Sequence, residues 1–482
     1  MNQPAPPPGC PAHHRGFPLH GPEFAADPAA VYARLRAAEG PVARVELYPG
    51  VPAALVIGYH AALEVLRSPE TFAKDPRRWR SLADGRVAAD NPAAPMMGYR
   101  PNCLHTDGEQ HTRLRGAVAD SLDRVDLNAL RVHVERTCDG LIDSFAGLGQ
   151  ADLVGDYARP LPLLVFNELF GSPARFGDRL VRGMSGIFDG VDAQRSNQEL
   201  TDTVLELVAL KRAEPAEDVT SWLMGHQSAL TDEEMLHQVI LLMGGGTEPQ
   251  HNLISNTLRL LLSDDRFAGS LSGGSLPVED ALDEVLWTDP PMANFAVHFP
   301  VRDVELAGVR LPEGEPVVVS FAAANTDPAL SGAPRTRNRA HLAWSAGPHA
   351  CPAQGPARLI ASVAVERLLD RLPEVELAVD PARLSWRPGP FHRSLAALPV
   401  RFPPATVTTP IAVLPAARPA GSGPGHRPAA TDLLPGGPAW NRTAAPTAST
   451  PVAPTSTVRP DGSTRTGRWP RWSSPAAWLR GR

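Results

Sequence analysis

Cysteine is scarce: the chain has four in 482 residues, at Cys10, Cys103, Cys138 and Cys351, with no CxxC pair. That spacing excludes a disulfide scaffold and a zinc finger, which need clustered sulfur. Long apolar runs are missing too. No stretch approaches the ~18 uninterrupted apolar residues of a spanning helix. The opening MNQPAPPPGCPAHHRGFP has no apolar block of the kind a secretory signal requires. No internal repeat and no glycine-rich flavin or NAD fingerprint is found. These absences lead us to expect a cytoplasmic protein in a reducing compartment, with no membrane span.

Charge is uneven. The net charge is −6, yet residues 403–482 hold nine Arg and only two acids, so the preceding body is more acidic than the total suggests. An acidic body argues against nucleic acid as the main partner. Residues 1–20 are Pro-rich and read as an arm. Residues 21–402 carry the apolar periodicity of a folded body. Residues 403–482 are rich in Pro, Ala, Thr, Gly and Ser and bury too little to offset their ordering entropy, so they read as a disordered basic tail. Its Trp- and Arg-rich end, RWPRWSSPAAWLRGR, suits contact with an anionic surface or another protein, or no contact at all.

Within the body the period alternates. DPAAVYARLRAAEG predicts a helix capped by Asp27 and ended by Gly40. VARVELYPGVPAALVIGY predicts a hairpin, and HAALEVLRS a helix. A helical series follows and ends in a segment of some 35 residues that opens with a Thr231/Glu234 capping box. The short helix VEDALDEVLWTD comes next. The period then changes to two over ANFAVHFPVRDVELAGVRLPEGEPVVVSFAAAN, which predicts successive strands. The helix ARLIASVAVERLLDRL and a last strand in SLAALPVRF complete the body.

Between those strands and that helix lies HLAWSAGPHACPAQGPARLIA, with Cys351 at the mouth of the helix. A thiolate is favoured there because free N–H groups and the helix dipole point at it. Gly347 and Pro348 tighten the preceding turn, so that the backbone approaches a flat ligand closely. A haem iron is one ligand that fits. A buried structural cysteine fits the same stretch about as well. A nucleophile paired with His349 lacks a third orienting group, and a zinc site lacks ligands.

The order of motifs resembles the cytochrome P450 family of haem-thiolate monooxygenases, in particular soluble streptomycete members, over about residues 17–402. In the haem loop Gly347, His349, Cys351, Ala357 and Arg358 match, while Trp344, Ser345, Ala353 and Pro356 depart. HTDGEQHTRLR places His111 and Arg115 on one helical face. The resemblance makes them propionate partners, together with His349 and with His298, which stands where many members have Arg. In LLMGGGTEPQHNLI, Gly245, Gly246 and Glu248 fall on the family's oxygen-side pattern, but Pro249 and Gln250 replace its two Thr. Glu248 is then the candidate proton-relay residue, with Thr247 and Gln250 as substitutes for the missing hydroxyl. Proline in an ordinary helix interior costs ~3 kcal/mol or more.

A second departure is Trp287, which occupies the Arg position of the family's Glu-x-x-Arg motif, three residues after Glu284. Trp offers no bidentate guanidinium. Glu284 is therefore expected to find another cation, and Arg335, Arg337 and Arg339 are the nearby candidates.

The resemblance implies a mainly α fold with small β regions and haem b held between the long central helix and the Cys351 loop. Cys351 would be the axial iron ligand. The implied activity is insertion of one oxygen atom into an apolar small molecule by a monomeric enzyme, with electrons from a separate ferredoxin and ferredoxin reductase. The segment RGMSGIFDGVDAQRSNQEL would help roof the pocket. Two other readings stay open: a haem protein with weak or no turnover in a regulatory role, motivated by Pro249 and Trp287, and a Cys-dependent hydrolase.

Overall fold

The computed structural model describes residues 16–189, 193–264, 278–330 and 338–405. Most of the expected N-terminal arm, the tail beyond residue 405, Arg335, Arg337 and the middle of the expected roof segment lie outside them.

The described helices of eight or more residues are α1 (Pro28–Glu39), α2 (Tyr59–Arg67), α3 (Gly108–Asp123), α4 (Leu127–Phe145), α5 (Pro160–Leu169), α6 (Ala174–Asp189), α7 (Ala193–Ala213), α8 (Asp232–Ser263), α9 (Val278–Thr288) and α10 (Gln354–Arg371). Their ends follow local chemistry. The Asp27 carboxylate accepts from Ala30 N–H, and Gly40 ends α1 at φ +82°. Asp126 caps α4 through Asn128 and Ala129. Both bonds of the Thr231/Glu234 capping box form at the start of α8. Before α5 the chain makes a wide turn in which Arg159 N–H reaches Val154 O at 3.0 Å.

One sheet has the strand order β1-β2-β3-β9-β6-β4. Its members are β1 (Phe17–Pro18), β2 (Val42–Tyr48), β3 (Val51–Val56), β4 (Phe72–Ala73), β6 (Ala296–Pro300) and β9 (Val317–Val319). The β2–β3 hairpin is the expected one. β7 (Val304–Leu306) pairs antiparallel with β8 (Val309–Leu311). A further sheet joins β5 (Gln150–Asp152), β11 (Pro399–Arg401) and β10 (Glu376–Leu377). One expectation fails. FAAAN, read as the end of the strand run, is a short helix over Phe321–Asn325, because Ser320 caps it by accepting from Ala323 N–H.

α8 is 32 residues long, about 48 Å at 1.5 Å per residue. It is buried through most of its length and shares one core cluster with α4, α5, α9 and α10, and another with α3, α6 and α7. Polar clamps fix its neighbours. Gln238 Nε2 donates to Leu114 O and its Oε1 accepts from Cys103 N–H, each at 3.1 Å, which ties α3 to α8. Arg367 and Arg371 on α10 grip Asp139 on α4, and Arg371 also grips Asp143. The helix that follows Cys351 is thus held from one side by ion pairs and from the other by apolar packing.

Candidate active site

The Cys351 loop is shaped by glycine. Gly347 sits at φ +69°, and a Cβ there would stand 2.2 Å from Leu66 O at the end of α2. Only glycine meets both demands. Cys351 N–H donates to Trp344 O at 2.8 Å, and Cys351 Sγ accepts from Ala353 N–H at 3.4 Å in the first turn before α10. Burial pushes the thiol up, while the Ala353 N–H and the Arg115 charge oppose that shift. A bound metal cation completes what those two begin, since a coordinating thiol is deprotonated outright.

Three of the expected propionate partners converge beside this loop. The His111 and His349 rings lie 4.1 Å apart between centroids. Arg115 donates to Ala350 O at 2.5 Å, next to the cysteine. His111 Nε2 is buried without a hydrogen-bond partner among the described residues, while His349 Nε2 has Asp107 Oδ1 3.4 Å away. Burial drives His111 down to about 4, aided by His349 and Arg115. Two imidazoles and a guanidinium are a donor set for carboxylate, so the residues fit a haem propionate. His298 is buried on β6 and paired with Val317. The carbonyl beside it, Val297 O, accepts from Lys74 Nζ.

Along α8, Gly245 is exposed inside an otherwise buried helix, and Pro249, one turn on, is half-buried. A Cβ on Gly245 would meet nothing within 4 Å, whereas one on Gly246 would strike the Phe166 ring at 2.5 Å. The helix runs through Pro249 unbroken. The proline ring presses on the carbonyl four residues back. That carbonyl belongs to Gly245, where the backbone has room to yield.

The three candidate relay residues are buried and engaged. Glu248 pairs with Arg387 at 2.7 Å and has His251 at 3.8 Å. Gln250 Nε2 donates to Ala357 O on α10 at 3.0 Å, and Thr247 Oγ1 contacts Gly244 O at 3.5 Å. Gly245 and Pro249, which share the open face, carry no hydroxyl.

Trp287 is 4 % exposed. Of the arginines expected to meet Glu284, Arg335 and Arg337 lie outside the described residues, and Arg339 contacts Asp283. Asp283 pairs with Arg358 at 2.5 Å and with Arg339 at 3.2 Å, and both arginines also contact Glu279. Arg358, the fifth residue of the helix after the Cys351 loop, is thereby fixed to α9.

Sequence reasoning missed Asp283, Arg387, Lys74 and Asp107. Asp107 directly precedes α3 and reads as a cap, yet it makes no side-chain cap bond. Its Oδ2 accepts from Lys74 N–H at 2.8 Å, and its Oδ1 lies 3.4 Å from His349 Nε2. The other three act over long sequence separations and have no local signature.

The chain is 36% identical over 398 residues to the cytochrome P450 monooxygenase PikC of Streptomyces venezuelae, covering 79% of this chain and 92% of that one. The chain belongs to the cytochrome P450 family. Another relative of this P450 is the vitamin D(3) 25-hydroxylase of Pseudonocardia autotrophica, 31% identical, with 79% and 95% covered. Among solved structures, CYP154C4 from Streptomyces sp. ATCC 11861 superposes with a TM-score of 0.75 at 31% identity, covering 81% of this chain and 98% of that one. CYP154A1 from Streptomyces coelicolor superposes with a TM-score of 0.72 at 27% identity, covering 80% and 100%. No family model matches the chain. This P450 has the mostly helical fold of its family and is an enzyme of the haem-dependent monooxygenase class, a class that draws electrons from redox partners and acts on small molecules. No described helix is long and apolar enough to cross a membrane.

Proposed function

We propose that this P450 holds haem b within residues 21–402, with Cys351 as the axial thiolate and His111, Arg115, His298 and His349 toward the propionates. The observation that carries this reading is the convergence of the His111 and His349 rings and Arg115 on the loop that presents Cys351 at a helix N-terminus. Bound haem supplies dioxygen activation, favoured by thiolate donation. The chain's own residues would orient the cofactor, close the loop through Gly347 and leave Gly245 and Pro249 as a face of α8 without side-chain donors. The reaction is insertion of one oxygen atom into an apolar small molecule. Met96, Met97, Leu104, Phe295 and Phe299 line a small cavity together with Lys74 and His105.

Electrons would come from a separate ferredoxin and its reductase, because the sequence carries no flavin or nicotinamide fingerprint. Cys103, Cys138 and Cys351 are free thiols, which supports a reducing, cytoplasmic setting. We take the enzyme as a monomer. With Glu248 held by Arg387, it acts on the proton path through that pair, and Thr247 and Gln250 contribute only if their backbone contacts release.

The test is the reduced carbon-monoxide difference spectrum of the purified protein, run beside Cys351→Ala. A thiolate-type band that disappears in the variant supports the reading, and an unchanged band overturns it. Turnover with a surrogate ferredoxin system is then compared with peroxide-driven turnover. Product only with peroxide points to a proton path weakened by Pro249. Absence of product from both favours a haem protein with a binding role.

A further inference from the structure

Lys74 follows β4 directly, and its side chain is buried, with the residue 5 % exposed. An ammonium has three donors and no acceptor. Here Nζ donates to Val297 O at 2.9 Å, while the nearest carboxylate, Asp107, is bonded to the Lys74 backbone N–H. Burial pulls the lysine down to about 8, and Asp107 opposes this. A buried cation held chiefly by one carbonyl is costly unless an anion is close. Lys74 also lines the cavity beside Leu104, His105 and Phe299.

Its two attachments place it at the cofactor site. Val297 precedes His298 on β6, and Asp107 is the residue that faces His349. Lys74 therefore bridges the His298 strand and the start of α3, the helix that carries His111 and Arg115.

Charge counting leads the same way. Haem brings two carboxylates. Arg115 supplies one permanent cation at the His111–His349 cluster. The other cation nearby, Arg100, shifts His105 and His237, and it is not among the groups that shift His111 or His349. A second buried carboxylate without a cation of its own would be costly.

We propose that Lys74 donates to a haem propionate and forms, with the His298 strand, a second carboxylate-binding pole distinct from Arg115. This rests on the haem-thiolate reading above. In this structure the Val297 carbonyl holds the ammonium; on haem binding, one of its remaining donors would turn to the propionate.

The experiment follows haem transfer from the holoprotein to excess apomyoglobin for the wild type, Lys74→Met and Lys74→Arg, each loaded with haem or with haem dimethyl ester. Losing a charge-assisted hydrogen bond is expected to speed transfer from Lys74→Met at least about tenfold with haem. Lys74→Arg should stay near the wild type. With the diester, the wild type and Lys74→Met should lose cofactor at equal rates, because the carboxylates are masked. Equal rates with haem would overturn the proposal, and so would the same acceleration with haem and diester, since that marks a packing role. If Lys74→Met folds poorly, Lys74→Gln carries the same comparison. A wild type that binds no haem is a failure of the Cys351 reading, seen before any Lys74 variant is compared.

Discussion

Trp287 Nε1–H donates to the carbonyl oxygen of Asn338 at 2.7 Å, and its ring meets His341 edge to face with 5.7 Å between centroids. One indole N–H therefore ties α9 to the segment leading into the thiolate loop, at the position where the family usually places a guanidinium. Trp287→Phe keeps the packing and removes the donor, so it should cost about 1 kcal/mol. Trp287→Ala also opens a cavity and should cost about 3–5 kcal/mol. Urea unfolding of the two variants checks the order.

Asp283 carries the ionic part of that anchor. It is buried between Arg358 and Arg339. Asp283→Asn leaves Arg358 short of a buried anion and should destabilise by about 3–5 kcal/mol. Haem loss should accelerate as well, because Arg358 stands on the helix that follows Cys351. Both are measured on the holoprotein, by denaturant melt and by haem transfer.

Arg387 and Glu248 form a second buried pair, with side chains 13% and 6% exposed. Arg387→Met strands the carboxylate and should cost about 3–5 kcal/mol, whereas Arg387→Met with Glu248→Leu should recover much of it. A double-mutant cycle in urea tests this. Additive losses would show that the pair is not coupled.

Gly347→Ala combines a left-handed backbone with a Cβ against Leu66 O. The backbone alone costs about 1–3 kcal/mol, and the clash adds to it. The expected result is a folded protein with reduced haem content, read from the ratio of Soret to protein absorbance.

Acid should weaken the protein above the range where carboxylates titrate. His105 is held down to about 3 and His341 to about 4, from an ordinary 6.5, in each case chiefly by burial. His105 Nδ1 accepts from Arg100 N–H at 3.2 Å, a bond that protonation breaks. The folded values lie below the unfolded one, so between pH 6.5 and about 4 the unfolded chain binds more protons. Stability is therefore full above that window and falls as pH falls through it, by up to about 1.4 kcal/mol per pH unit for each histidine. Urea midpoints of the wild type and His105→Gln between pH 7.5 and 5 measure this slope, which should be shallower in the variant.

Much of the site was legible because its signals are local. The turn at Gly347 and the thiol at Cys351 lie within one short segment, and the helical spacing of His111 and Arg115 puts them on one face without further information. Helix ends at Asp27, Gly40 and Thr231 were readable for the same reason, since caps act over three or four residues. FAAAN was misread because period alone cannot separate a short apolar strand from a short buried helix; the Ser320 cap decided it.

The sequence by itself determined the Cys351 loop, the α8 segment with its missing hydroxyl, and the resemblance to the cytochrome P450 family, since each is written in contiguous residues. Only the tertiary structure decided which charges meet. Arg387 reaches Glu248 across 139 residues, Arg358 reaches Asp283 across 75, and Lys74 reaches Val297 across 223. Such pairs depend on which helices and strands pack side by side. That is set by apolar burial over the whole body, and side-chain chemistry within any one segment does not encode it.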